Sequence, residues 1–115
     1  MFVNLTPHDV AVFDGDVAVL IIPATGLVAR ISESVDELAS GPLGGGIDGV
    51  TVVLGEVEDL PQPQDDVIYI VSMPTMMGLR AAGSTRTDVR YPYGQVRDDW
   101  GRIIGCRALA TLGWR

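Results

Sequence analysis

Apolar positions along this chain come mostly in short β-branched and aromatic runs broken by turn residues, a pattern that predicts strands. Val10-Ala11-Val12-Phe13 and Val17-Ala18-Val19-Leu20-Ile21-Ile22 flank Asp14-Gly15-Asp16, which reads as a hairpin. Pro23 and Thr25-Gly26 close its second strand. Leu27 to Ile31 predicts a third strand, with Leu27, Ala29 and Ile31 on one face, and Val50 to Leu54 a further one. Near the end, Gln95-Val96-Arg97 and Arg102 to Leu109 flank Asp98-Asp99-Trp100-Gly101. This predicts a second hairpin with Ile104, Cys106 and Ala108 on one face.

The run Val67-Ile68-Tyr69-Ile70-Val71 is nearly continuous in apolar residues, as in a central strand covered on both faces. It stops at Ser72, a residue suited to cap a helix, and Pro74 falls within the first turn, where its missing N–H costs nothing. A short helix through Ala82, broken at Gly83, is expected. Ser34-Val35-Asp36-Glu37 has capping-box spacing, for one or two helical turns or simply more extended chain. Gly41 to Gly49 reads as a mobile hairpin connection, Pro61-Gln62-Pro63-Gln64 as a stiff connector, and Asp88 to Gly94 as a loop with two aromatic rings. The fold expected is α+β and β-rich: a small, mostly antiparallel sheet or half-barrel of five to seven strands with one short helix. Its expected core holds Val10, Val12, Val19, Ile21, Val52, Ile68, Ile70, Ile104 and Cys106.

At 115 residues, 47% of them hydrophobic and 20% charged, the chain suits a single globular domain, 1–115. No apolar run approaches the roughly 20 residues that span a bilayer, and no basic region precedes an apolar core at the N-terminus. Asn4-Leu5-Thr6 matches a glycosylation acceptor pattern, which has meaning only in a secreted chain. One cysteine, Cys106, allows no internal disulfide.

Charge changes this picture. The net charge is −7 and every cation is an arginine. Residues 1–79 carry twelve acids and one arginine, whereas residues 80–115 carry three acids and seven arginines. Either the arginines neutralise acids such as Glu56, Glu58, Asp65 and Asp66, or they line a site for phosphate or carboxylate, to which a guanidinium presents a bidentate fork. The overall charge and low aromatic content argue against nucleic acid.

The candidate chemistry is sparse. His8 and Cys106 are each the sole residue of their kind. Neither stands at a recognisable nucleophile turn, and Thr6-Pro7-His8 reads as a turn whose side chains bond nearby backbone. No metal-ligand spacing, phosphate-binding loop or dinucleotide fingerprint is present, so no catalytic residue, cofactor or metal is assigned. Any ligand site is expected where Ser72 to Thr75 meet the basic tail. A helix start and arginines attract the same group, an anion. Its members would be Ser72, Thr75, Arg80, Arg97 and Arg102, with Tyr69 or Tyr91 beside a planar ring, and His8 if the first strand runs beside the Val67 strand.

Asn4-Leu5-Thr6-Pro7-His8, Asp66-Val67-Ile68-Tyr69-Ile70-Val71-Ser72, and Val96-Arg97-Asp98 with Gly101 and Gly105-Cys106-Arg107 resemble a family of small bacteriophage and prophage proteins. The resemblance brings no activity with it. It implies phage origin and action in the host cytoplasm. Three functions remain open: an accessory protein that binds a host macromolecule without catalysis, a binder of a small nucleotide-like anion, and a minor structural component of the virion. A homodimer through strand edges is expected, with Trp100 and Trp114 as candidate anchors.

Overall fold

The structure is a computed structural model that describes residues 1–113. Trp114 lies outside the described residues, so the expectation placed on it is left there. Ten strands and one α-helix follow in order: β1 (Phe2–Asn4), β2 (Val10–Asp14), β3 (Val17–Ile22), β4 (Arg30–Val35), β5 (Gly41–Gly44), β6 (Ile47–Gly49), β7 (Val52–Glu58), β8 (Ile68–Ile70), α1 (Met73–Ala81), β9 (Val89–Arg97) and β10 (Ile103–Ala110). The β-rich α+β class with one short helix is therefore correct. The strand count exceeds expectation because four strands form two ribbons outside the six-stranded main sheet.

The main sheet has the order β1-β8-β9-β10-β2-β3 and curls into a half-barrel, Asn4 of edge strand β1 forming an isolated parallel bridge with Ala24, two residues beyond edge strand β3. Antiparallel pairing joins β9 to β10 and β2 to β3, while β1–β8, β8–β9 and β10–β2 are parallel. Counting the two antiparallel ribbons, four of the seven pairings are antiparallel.

β8 is the central strand that its apolar run predicts. Tyr69 and Val71 face a cluster formed with Leu5, Ala29, Met76, Leu79, Val89 and Tyr91, against α1. Ile70 faces the second cluster, with Val10, Ile22 and Cys106. Parallel neighbours on both sides and packing on both faces explain why no polar residue interrupts it. α1 begins as expected: Ser72 is extended (φ −69°, ψ 157°), its Oγ accepts from the Thr75 N–H, and Pro74 occupies the first turn. The helix ends before Gly83, whose φ of 83° suits glycine.

Four expected core residues are exposed. Ile22 turns inward from β3, so Val19 and Ile21 point to the other face, where nothing covers them (61% and 60% exposed). A register shift between Ile103 and Gly105 carries Ile104 out of the packed face, and Val52 lies on a ribbon beyond Val57, the residue of that strand that packs on the core. Val10, Ile70 and Cys106 are buried as expected, with Val12 and Ile68 packed against them.

Other boundaries move. Residues 27–29 are not strand, and β4 starts at Arg30. Ser34 lies inside β4, and Asp36 caps a single 3-10 turn, Glu37–Ala39, through its carboxylate. The glycine-rich stretch is itself a small hairpin, β5–β6, turning through Gly44, Gly45 and Gly46 at positive φ. Of the stretch Asp88 to Gly94, all but Asp88 is strand rather than loop. Pro92 is tolerated in β9 because β8 ends at Ile70, and that side of β9 is free beyond Arg90.

Candidate functional site

The strand-to-helix corner opens onto a cavity of about 540 Å³. The turn Thr6 to Ala11, Ser72 and Met73 at the start of α1, Pro92 and Gln95 of β9, and Ile103 to Cys106 of β10 line it. The first predicted strand, from Val10, is β2, which pairs with β3 and β10 and not with β8, so the condition set for His8 is not met. His8 lines the cavity all the same, from the turn that follows β1.

The turn is held from below by Asn4, which is fully buried. Its Nδ2 donates to the His8 carbonyl at 2.8 Å and to the Ile22 carbonyl at 2.9 Å, and its Oδ1 accepts from the Thr6 N–H at 2.9 Å and the Thr6 hydroxyl at 2.6 Å. The Thr6 hydroxyl also reaches the His8 carbonyl at 2.9 Å. Thr6 therefore bonds nearby backbone, as its place in the turn suggests, while the His8 ring is exposed at the cavity. The carboxamide that the acceptor pattern would offer to a glycan is consumed inside the fold.

The helix start supplies fewer amides than its position implies. Pro74 has no N–H, the Thr75 N–H goes to Ser72 Oγ at 3.4 Å, and the Met76 N–H goes to the Ser72 carbonyl at 3.0 Å. Of the first turn, only the Met73 amide remains for a ligand. Cys106 is buried; its Sγ lies 3.5 Å from the Ala11 carbonyl, and burial pushes the thiol pKa up. A nucleophilic thiol needs the opposite shift. The cavity brings the sole histidine and sole cysteine to one place without giving the sulfur a thiolate's environment.

The arginines do not converge. Arg97 stands beside the cavity, its Nη2 donating to Gln95 Oε1 at 3.1 Å and its Nη1 to the Gly101 carbonyl at 2.7 Å. Arg80 is a structural clamp that donates to the carbonyls of Leu112, Ser84 and Arg86 and to the Thr111 hydroxyl. Arg102 pairs with Asp98 at 2.9 Å within the β9–β10 turn. The Arg102 backbone N–H leads the hydrogen bonds that hold the Asp98 carboxyl below its ordinary range. Thr75, Tyr69 and Tyr91 are buried. Thr75 donates to the Ala29 carbonyl, and the Arg86 guanidinium lies 5.9 Å from the Tyr69 ring centroid. Among the predicted residues the cavity thus gathers His8 and Ser72, with Arg97 one hydrogen bond away through Gln95. Gln95 carries no sequence signal; its pairing opposite Cys106 places it there.

The expected neutralisation of the acidic half by the basic tail does not occur among the described residues. Both ion pairs, Arg86–Asp88 and Arg102–Asp98, are local to the tail, and the remaining arginine hydrogen bonds go mainly to carbonyls. The acids stay free because most of them stand on a separate arm.

That arm is β4 and β7 with the β5–β6 hairpin at its end, residues 30–59. None of these residues is buried. Its base touches α1, where Gly78 lies against the Ile31 side chain. Beyond the base, Val35, Leu38, Leu43, Ile47, Val50, Val52, Val53 and Leu54 are exposed, Leu38 completely. The arm carries Glu33, Asp36, Glu37, Asp48, Glu56, Glu58 and Asp59 and a single cation, Arg30, which opens β4 opposite Glu58 at the base; seven acids and one arginine leave −6 of the chain's net −7 here. The radius of gyration, 16.9 Å, exceeds the ~13 Å of a compact chain of this length because of it.

A second cavity of about 540 Å³ lies against the chain entering and leaving the arm, lined by Gly26 to Val28, Arg30 and Asp59 to Pro61. No group of three or more His, Cys, Asp or Glu side chains among the described residues could hold a metal ion, and no helix is long and apolar enough to cross a membrane.

Comparison with known proteins finds no matching family model, no similar curated protein and no similar solved structure.

Proposed function

We propose that this is a phage-encoded accessory protein that acts in the host cytoplasm by binding a host macromolecule, without chemistry of its own. The observation that carries this reading is the arm: eight exposed apolar side chains on a segment that bears most of the net charge and touches the core only at its base, through Ile31 and Val57. An uncovered apolar patch of this size marks an interaction surface. Its carboxylates favour a basic rim on the partner. The protonated, buried Cys106 thiol supports a binding role over a nucleophilic one.

The test compares the parent with Leu38→Glu/Leu43→Glu, two exposed arm positions. A bacterial protein retained by the immobilised parent is identified, purified and titrated by calorimetry. Loss of binding in the variant, with a negative heat-capacity change for the parent, is expected. Equal binding by both would remove the arm from the function.

A second reading, a binder of a small nucleotide-like anion, is favoured by one observation: His8, Ser72 and Gln95 line one cavity, and Arg97 donates to Gln95 from beside it. A nucleotide at 100 times its dissociation constant would stabilise the protein by about 2.7 kcal/mol, and Arg97→Ala would abolish the effect. A flat thermal response across a nucleotide and phosphate panel would end this reading.

A further inference from the structure

Resting on the reading of residues 30–59 as a binding arm, we propose the partner that covers it in the isolated protein: a second copy. Two chains exchange arms, each laid on the β9–β10 hairpin of the other, so that self-association controls access to the arm.

Area is the first argument. At roughly 100 Å² of apolar surface per fully exposed aliphatic side chain, eight residues that are 46–100% exposed offer on the order of 500 Å². A stable interface buries about 800 Å² per partner, somewhat over half of it apolar. Val52 and Leu54 stand on one face of the ribbon and Val53 on the other, so the arm supplies that share where both faces are covered, and a reciprocal exchange supplies it twice.

Charge selects the receiving surface. Packing arm against arm would bring seven carboxylates onto seven with only Arg30, at the base of each arm, as a cation. The β9–β10 hairpin instead carries Arg90, Arg97, Arg102 and Arg107 against Asp98 and Asp99. It exposes Tyr93, Trp100 and Ile103, with Trp100 82% exposed at the turn. Arg97 and Arg107 stand on the same hairpin without a carboxylate partner among the described residues, their hydrogen bonds going to Gly101, Gln95 and Gly15 oxygens. One surface is acidic and apolar, the other basic and apolar, and both belong to one chain. Exchange about a two-fold axis satisfies both at once.

The test is sedimentation equilibrium of the full chain from about 1 to 100 µM, a range in which interfaces of this size associate when weak. A dimer is expected that dissociates as salt rises from about 0.05 to 0.5 M, because attraction between the surfaces is screened. Leu38→Glu/Leu43→Glu and, separately, Trp100→Glu/Ile103→Glu should each be monomeric with unchanged circular dichroism, since all four side chains are exposed. An equimolar mixture of the two variants should regain a dimer, because the intact arm of one meets the intact hairpin of the other. A strictly monomeric parent would overturn the proposal, as would a dimer that salt strengthens and the mixture fails to restore, the signature of arm-on-arm packing. A monomeric parent whose arm variant still loses its bacterial partner would sink the exchange and leave the binding reading standing. A dimeric, mixture-rescued parent whose arm variant keeps that partner would do the reverse.

Discussion

The Thr6 hydroxyl donates to Asn4 Oδ1 at 2.6 Å, and through this contact the chain between β1 and β2 is tied to the same carboxamide that reaches the Ile22 carbonyl of β3. One buried side chain thereby joins the two edges of the half-barrel and fixes the His8 turn at the cavity. Its two donors and its acceptor are all used, which is what makes a fully buried amide affordable.

Replacing Asn4 with Ala should therefore destabilise the protein by about 3 kcal/mol or more. It takes the Asn4 partner from the Thr6 N–H and the Ile22 carbonyl at roughly 1–3 kcal/mol each, while the Thr6 hydroxyl still reaches the His8 carbonyl, and these costs are not fully additive. Asn4→Asp keeps the acceptor and loses both donors, so it should also destabilise. Urea unfolding monitored by tryptophan fluorescence measures both; a midpoint unchanged by Asn4→Ala would show that the network is not structural.

Gly105 is required by close approach. A Cβ there would lie 2.5 Å from the Ala11 carbonyl oxygen and 2.5 Å from the Phe13 ring. A backbone oxygen cannot swing aside as a side-chain end can, so Gly105→Ala should force β10 away from β2 at a cost of about 1–3 kcal/mol. Gly113→Ala, with open space around the added methyl, is the control. Equal melting temperatures for the two variants would contradict this geometry.

Arg80 joins α1 to the loop after it and to the chain beyond β10 through four hydrogen bonds. Bonds from a charged donor contribute about 1.5–3 kcal/mol each when measured singly. Arg80→Met, which keeps the stem, should lower stability by several kcal/mol and leave any response to phosphate or nucleotide unaltered. A stable Arg80→Met variant that had lost an anion response would reassign the residue to a ligand.

The Arg86 guanidinium bonds the Asp88 carboxylate at 2.7 and 2.9 Å and, more than any other contact, lowers its pKa. A carboxyl depressed in the folded state contributes stability above its unfolded pKa, near 4, and loses it as pH falls through the folded value. Stability should thus decline below about pH 4 with a component that Asp88→Asn removes. Identical acid limbs for parent and variant would show that the pair does not contribute.

Cys106 should resist a thiol reagent at pH 8 in the native protein and react in full after unfolding, because burial raises its pKa and nothing cationic offsets it. Rapid stoichiometric labelling of the native protein would mean that the cavity wall at Cys106 opens.

Much of the local structure was legible in the residues themselves. The Asp14-Gly15-Asp16 hairpin, the Asp98 to Gly101 turn, the covered strand through Ile70 and the Ser72 cap all follow from nearest-neighbour chemistry, in which turn residues, β-branched runs and a capping hydroxyl act within a few positions. Cavity membership was legible only in part. Ser72 and His8 carried signals, but whether arginines at 80, 97 and 102 converge depends on register and on where the helix and hairpin point, which no local pattern encodes.

The sequence by itself determined the strand-rich class, the cap at Ser72 and the surplus of carboxylates in the first two thirds of the chain. Only the tertiary structure decided that Val19, Ile21, Val52 and Ile104 face outward. A side chain's environment in a sheet is set by the partner strand and its bulges, and period alone assigns only its alternation. The same holds for the acids. They looked available to the basic tail until the ribbon from residue 30 to 59 left the body and carried them away from it, because β4 and β7 pair with each other and with no strand of the main sheet. Strand pairing is a long-range choice, and it turned an apolar, acidic stretch from core material into an exposed arm.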